Sequence, residues 1–282
     1  MLLKRILVVG GDERAMRLAS LLEKEGYEVR TIGLHAEDER TADIGEAHAL
    51  LFPYPFAVRG GNVPTLSGLT LHPEDVLQSA REDAVLLAGT GLEPYVLAAN
   101  ALGKRQKLKH YMQHEPFLQM NAELSAEASV YEAMRQTTAA LLNMTVLVVG
   151  YGRFGRALAK RLNLLGATVW VGARREEQRL LAASDGMHAV SLEELHTVAP
   201  NIRILLNTIP ARVIDGQTLQ ALPPAACLLE LASAPYGFDR EAAEALGLHC
   251  EVLPALPARY SPETAALALK QAAVRLLTET SE

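Results

Sequence analysis

"VLVVGYGRFGRALAKRLNLLGATVWVGARR", residues 146–175, holds the pattern that decides the fold. A short apolar run, Val146 to Val149, leads into Gly150, Gly152 and Gly155, which satisfy G-x-G-x-x-G. An amphipathic stretch and a second apolar run follow. In such a unit the first glycine makes a tight turn, the second lets a pyrophosphate approach the backbone, and the third lets helix and strand pack closely. The N–H groups at the helix start, around Arg153 and Phe154, then face the phosphates. The glycine motif alone is common. A strand before it, a helix after it and a second strand at the correct distance make it a dinucleotide-binding unit.

Such a unit usually ends its second strand in Asp or Glu, which holds the adenosine ribose. This one ends in Arg174 and Arg175. An acid there would repel a 2′-phosphate, whereas the planar fork of Arg174 pairs with one and stacks on adenine. The reading is NADP rather than NAD. The alternative is that both arginines are solvated residues opening the next helix.

Upstream, "RILVVGGDERAMRLASLLEKEGYEVRTIGL" (residues 5–34) is a second strand–turn–helix–strand beginning. Its turn has two adjacent glycines and no third. Gly11, Asp12 and Arg14 are candidates to hold an anionic substrate near a helix N-terminus; a plain structural turn is the competing reading. "HALLFPYPF" and "AVLLAGTG" add apolar runs of buried-strand type. "AVRGGNVPTLSGLTLHP" (57–73) reads as a long Gly- and Pro-rich loop. Residues 125–142 are expected to form a helix capped by Ser125. Further strands are expected near "TVWVGA", "RILLNTIP", "CLLELAS" and "HCEVLP". The last helix, 261–278, opens with Ser261 as cap and Pro262 at its first position.

The alternation of strand and helix predicts two doubly wound parallel-sheet α/β domains, Rossmann- or flavodoxin-like, bridged by helices and with a cleft between them. The expected division is an N-terminal substrate-binding domain (1–124), an NADP-binding domain (125–260) and a C-terminal helix (261–282) packing back on the first domain. The bridging and final helices are the candidate surfaces for a homo-oligomer.

A length of 282 residues suits two domains, and 49% hydrophobic with 21% charged residues suits a soluble globular chain. The net charge of −6 speaks against a general nucleic-acid binder. Cys227 and Cys250 lie far apart and form no metal motif, as expected of thiols in a reducing cytosol. The first apolar run is too short for a membrane span and lacks the features of a signal peptide, so a cytoplasmic protein is expected. His110 and His114, with Glu115 beside them, have the spacing of two metal ligands on one helix face, but no third ligand is in view. "KRQKLKHYMQHEP" otherwise reads as polar surface, and no metal is expected.

This domain order is similar to that of 2-hydroxyacid dehydrogenases, which need an Arg for the substrate carboxylate and a His for the alcohol proton. The Arg is expected just after "CLLELAS", where the chain continues "APYGFD". The His is expected before the last helix, where the chain reads "LPALPARYSPETAA". Neither is present, which argues against a 2-hydroxy acid substrate.

The chain as a whole resembles the A-subunit family of dipicolinate synthase. The likeness rests on "VVGGDERAMRLASLL", "FPYPFAVRGGNV", "NAELSAEASV", "VLVVGYGRFGRALA", "VGARR", "LLNTIPARVI", "LLELASAPYGFD" and "LPALPARYSPETAA". It implies oxidation of dihydrodipicolinate to dipicolinate during sporulation. NADP would be the acceptor, and the partner would be a smaller, flavoprotein-like B subunit. Aromatisation of the ring leaves no alkoxide to protonate, so the missing histidine fits. The resemblance adds Asn207 and Thr208 to the cofactor contacts. It also marks Arg59 and Arg259, each in a Gly- or Pro-containing loop, for the substrate carboxylates; no general base stands out. Ala128, Ala255, Ala258 and Ala266 stand where the family is expected to have glycine. Two other functions remain open at this point: an NADP-dependent reductase of another small carboxylic acid, and a non-catalytic subunit that binds NADP or dipicolinate.

Overall fold

The computed structural model describes residues 5–38, 44–54, 56 and 61–279. Arg59 therefore lies outside the described residues. The chain forms two compact units, residues 1–121 with 261–282 and residues 122–260.

The first unit contains β1 (Arg5–Val9), α1 (Glu13–Lys24), β2 (Glu28–Ile32), β3 (Ala49–Leu51), α2 (Pro73–Ser79), β4 (Val85–Ala88), α3 (Glu93–Ala101) and β5 (Lys107–His110). Its parallel sheet has the order β2-β1-β3-β4-β5, the doubly wound order with its switch point between β1 and β3. Alternate residues of each strand point to opposite faces. Ile6, Val8, Leu51 and Leu87 belong to one core and Leu7, Val9, Leu50 and Leu86 to the other. Both faces are covered, which is why these strands read as unbroken apolar runs. β5 was hidden inside the stretch read as polar surface. It is an edge strand, and its Lys107 and Lys109 suit an edge that must not pair with another chain.

The division falls within α4 (Glu115–Arg135). The second unit continues with β6 (Thr145–Val149), α5 (Arg153–Leu164), β7 (Thr168–Gly172), α6 (Glu176–Ser184), β8 (His188–Val190), α7 (Leu195–Val198), β9 (Ile204–Asn207), α8 (Gly216–Ala221), β10 (Cys227–Glu230), α9 (Arg240–Ala245), β11 (His249–Val252) and α10 (Leu256–Tyr260). Its sheet runs β11-β10-β9-β6-β7-β8, all parallel, with the order reversing between β6 and β9. This is the six-stranded dinucleotide-binding order. The chain ends in α11 (Pro262–Thr278), whose Leu269, Ala272, Ala273, Leu276 and Leu277 join Ala15, Leu18 and Leu22 of α1 in one core.

One helix start differs from the sequence reading. α4 begins ten residues before Ser125, which is buried in mid-helix. His114 takes the cap instead, its Nδ1 accepting the Phe117 N–H at 3.2 Å, and Pro116 sits in the first turn, where a missing N–H costs nothing. Ser261 does precede α11, but its side chain makes no capping bond.

Candidate functional site

β6 delivers Gly150 to the switch point of the second sheet. Its N–H donates to the Gly172 carbonyl at 2.8 Å, so the turn leaves the sheet beside the exit of β7. The three glycines are used differently. Gly150 has φ +105, and a Cβ on it would stand 2.3 Å from Thr208 Oγ1. A Cβ on Gly155 would meet the Gly150 carbonyl oxygen at 2.1 Å, so this glycine brings α5 against the turn. Gly152 is exposed, and a Cβ there would meet nothing within 4 Å. Backbone conformation does not require glycine at 152, and neither do its neighbours. The position is bare toward the outside, where a pyrophosphate would lie. α5 starts on Gly152 with no side-chain cap and no acidic residue in its first turn, so the helix's own first turn brings no negative charge to the positive end of its dipole.

Arg153 is exposed beside Gly152, and Phe154 is half-buried against the core of the unit. Arg174 and Arg175 follow the exit of β7, both exposed, with Arg175 at the N-cap of α6. Neither takes part in an ion pair among the described residues. Arg179, which the sequence reading passed over, donates to the carbonyls of Ala173 and Arg174 at 2.9 and 2.8 Å and so fixes the backbone that carries Arg174.

The turn is anchored from the β7–β8 side. Tyr151 is buried and its hydroxyl donates to Asp185 at 2.8 Å; Arg156 and Lys160 also pair with Asp185, at 2.9 and 3.0 Å. The Arg156 hydrogen bond, outweighing partial burial, holds the Asp185 carboxyl well below the usual carboxylate range, with Lys160 and Tyr151 adding to it. Asp185 lies far from Tyr151 in sequence, so local reading did not reveal the anchor.

The carboxyl end of β9 brings Asn207 and Thr208 to the same edge. Thr208 packs on the glycine turn, its Oγ1 donating to the Val149 carbonyl at 2.9 Å. The Asn207 side chain is fully buried, so it acts from inside rather than as an exposed contact. Its Nδ2 donates to Glu230 Oε1 at 2.7 Å and to the Ile209 carbonyl at 2.9 Å. Glu230 also accepts the N–H groups of Ala232 and Gly237 at 3.0 and 2.7 Å. This buried set folds the loop after β10 back onto β9. Burial pushes the Glu230 carboxyl up, and the Gly237, Asn207 and Ala232 hydrogen bonds oppose that rise.

Arg259, read from sequence as a loop residue, lies in the short helix α10, which brings it onto a second cluster. Ala255 holds φ +55, a left-handed conformation in which a side chain is disfavoured. Its carbonyl receives the N–H groups of Ala258 and Arg259, which starts α10. Ala128, Ala258 and Ala266 do not need positive φ, so of the four expected glycine positions only Ala255 carries that demand. Glu132 of α4, Arg135, Arg259 and Tyr260 meet here. Burial pushes the Glu132 carboxyl up, but hydrogen bonds from Tyr260 and Arg135 outweigh it and hold the group below the usual value. A charged residue on the inner stripe of α4, Ser125–Ser129–Glu132, was the available sequence signal.

The turn of the first unit is capped differently. Gly11 donates its N–H to the Pro64 carbonyl at 2.7 Å. Asp12 caps α1 by accepting the Arg14 N–H at 3.0 Å and also pairs with the Arg14 guanidinium at 2.7 Å. Arg14 is itself buried and gives a further N–H to the Tyr54 carbonyl at 2.7 Å. The Gly11 N–H and two of the Arg14 guanidinium nitrogens are already engaged, and the Asp12 carboxylate occupies the helix end. Gly11, Asp12 and Arg14 come together in one turn, and the Asp12 carboxylate caps its helix end. Among the described residues no group of three metal-ligating side chains occurs, and no helix is long and apolar enough to cross a membrane.

Comparison with known proteins follows this division. Residues 5–102 match the family described as the N-terminal domain of the dipicolinate synthase A subunit. Residues 112–246 match the D-isomer specific 2-hydroxyacid dehydrogenase, NAD binding domain. The dipicolinate synthase A subunit of Bacillus subtilis (strain 168) is 25% identical over 288 residues, covering 98% of this chain and 96% of that protein. The crystal structure of the Bacillus halodurans dipicolinate synthase A subunit superposes with a TM-score of 0.87 at 25% identity, covering 97% of each chain. That of its Bacillus subtilis counterpart superposes with a TM-score of 0.85 at 25% identity, over 99% of this chain and 97% of that one. The second unit thus matches a nicotinamide-dinucleotide domain of the dehydrogenase type, which supports an oxidoreductase, and the chain is similar along its whole length to the dipicolinate synthase A subunits.

Proposed function

We propose that this chain acts as the A subunit of a dipicolinate synthase, oxidising dihydrodipicolinate to dipicolinate with NADP, beside a flavoprotein-like B subunit in the cytoplasm of a sporulating mother cell. The observation that carries the reading is the pairing of a dipicolinate synthase N-terminal domain with an uncapped glycine turn flanked by Arg174.

The residues present fit a dinucleotide. Gly152 leaves room for the pyrophosphate, and the first turn of α5, with Arg153 and Phe154, supplies the positive helix end. Gly150, Gly155 and Thr208 set the turn, and Asn207 braces the loop after β10 from inside. Arg174 takes the 2′-phosphate, and Arg175, at the cap of α6, adds charge beside it. When bound, NADP supplies the hydride acceptor. The substrate carboxylates need cations, and Arg259 is the described residue we assign to one of them; Arg59 remains the second candidate. No histidine is required, because formation of an aromatic ring protonates no alkoxide.

The direct test follows nicotinamide absorbance with NADP and freshly generated dihydrodipicolinate, with and without the B subunit. Turnover of another small carboxylic acid in its place would overturn the substrate assignment. For the cofactor, Arg174→Ala is expected to weaken NADP by roughly tenfold, the lower end for an exposed charge-assisted contact, and to leave NAD nearly unchanged. Calorimetric titration of both cofactors checks it. Equal affinities in the unaltered protein would refute the preference.

A further inference from the structure

Arg259 and Tyr260 end α10, and Glu132 of α4 lies beneath them with its side chain wholly buried. The Tyr260 hydroxyl donates to Glu132 Oε1, and Arg135 Nε donates to Oε2 at 2.7 Å. Both carboxylate oxygens are therefore engaged. Arg259 stands 3.8 Å from Oε1, too far for a hydrogen bond. Its guanidinium lies 5.2 Å over the Tyr260 ring, and its side chain is 44% exposed. A buried carboxylate is costly to keep unless its partners are well placed. Here those partners belong to the segment that carries the proposed substrate arginine.

We infer that Glu132 is a positioning residue that presents Arg259, over the face of Tyr260, to a carboxylate of a small planar dicarboxylate. The inference rests on the reading of Arg259 as a substrate residue. Three features support it. Tyr260 and Arg135 occupy the Glu132 oxygens, so Arg259 is attracted toward the cluster without being drawn into a fork-to-fork pair. The Tyr260 ring, fixed through its hydroxyl, orients the guanidinium by a cation–π contact. The guanidinium fork of Arg259 then remains open to a carboxylate, the ligand its geometry matches best. Arg135 also bridges from Glu132 to Glu251 at 3.0 Å, and Gln136 joins Glu251 to His249.

The test titrates the full chain with dipicolinate, and separately with glutarate as a saturated dicarboxylate, alongside NADP. Glu132→Gln is expected to weaken dipicolinate about tenfold, Arg259→Ala by at least as much, and neither to change NADP affinity. In an Arg259→Ala background, Glu132→Gln should cost nothing further. A full cost in both backgrounds, or no cost for Glu132→Gln where Arg259→Ala has one, overturns the inference. Should Glu132→Gln fail to fold, Tyr260→Phe removes only the hydroxyl that Glu132 holds. It is expected to weaken dipicolinate severalfold, and unchanged binding counts against the inference. If glutarate alone binds and is lost in both variants, the positioning role stands and the dipicolinate reading falls. If neither acid binds the unaltered chain, both fall.

Discussion

At Gly10–Gly11 and again at Gly150–Tyr151–Gly152, a buried parallel strand ends at a switch point and a twelve-residue helix begins. The two turns are built from similar parts. Each involves an Asp–Arg pair: Asp12 with Arg14 in the first, Asp185 with Arg156 in the second. The difference is where the aspartate sits. In the first turn it is the helix cap itself. In the second it lies at the far end of α6, anchors Tyr151 from the side, and leaves the cap to a bare glycine. A switch point thus becomes a candidate anion site when the helix end is left uncovered, and a structural clamp when a carboxylate fills it.

The sharpest way to break this comparison is to turn the second turn into the first. Gly152 has φ −81, which any residue adopts, and open space where a Cβ would go. Gly152→Asp places a capping carboxylate where the pyrophosphate is proposed to lie. NADP affinity is expected to fall by about 100-fold or more, a loss of roughly 2.7 kcal/mol, while the melting temperature holds or rises slightly. Titration calorimetry beside a thermal melt reads both; retained NADP binding would end the contrast.

The reverse change, Asp12→Ala, should act on stability alone. It uncaps α1 and strands the Arg14 guanidinium, whose side chain is only 8% exposed. A loss of about 3 kcal/mol is expected in urea unfolding, with NADP affinity unaltered.

Asp185→Asn tests the side anchor through pH. The Asp185 carboxyl is depressed in the folded protein, so its stabilisation is present above the ordinary aspartate value and lost as pH falls through the folded one. The unaltered protein should exceed the variant by about 2 kcal/mol at neutral pH. The gap should narrow below about pH 4. Denaturant melts across that range decide the matter, and a pH-independent gap would assign the effect to packing.

The smallest effect concerns the steric rule that both turns obey and the segment before α10 does not. Gly10 and Gly150 occupy positive φ as glycines; Ala255 does so with a side chain. Ala255→Gly is expected to raise stability by up to about 1 kcal/mol, readable as a higher melting temperature.

The strand–glycine–helix pattern at 146–175 was legible because each of its signals is local: an apolar run, a turn residue, a helical period. The roles of Gly150 and Gly155 followed from the motif and reappear as close approaches to Thr208 and to the turn carbonyl. What stayed hidden was how donors are spent. Nothing near Gly11 says that Pro64 will take its N–H, nor does anything near Arg14 point to the Tyr54 carbonyl. The contact between Tyr260 and Glu132 spans 128 residues. The start of α4 was misread for a different reason, since a histidine ring rather than a serine hydroxyl supplies its cap.

The first unit is assembled from both ends of the chain: it runs to Asn121 and resumes at Ser261. During translation the chain emerges from its N-terminus and domains tend to fold as units. The second unit is fully synthesised once Tyr260 has left the ribosome. The first, begun earliest, still lacks α11, so Ala15, Leu18 and Leu22 of α1 have no cover from Leu269, Ala272 and Leu276. The half of the molecule that starts first is therefore the half that finishes last, and the interval between is when its apolar face is open to chaperones or to aggregation.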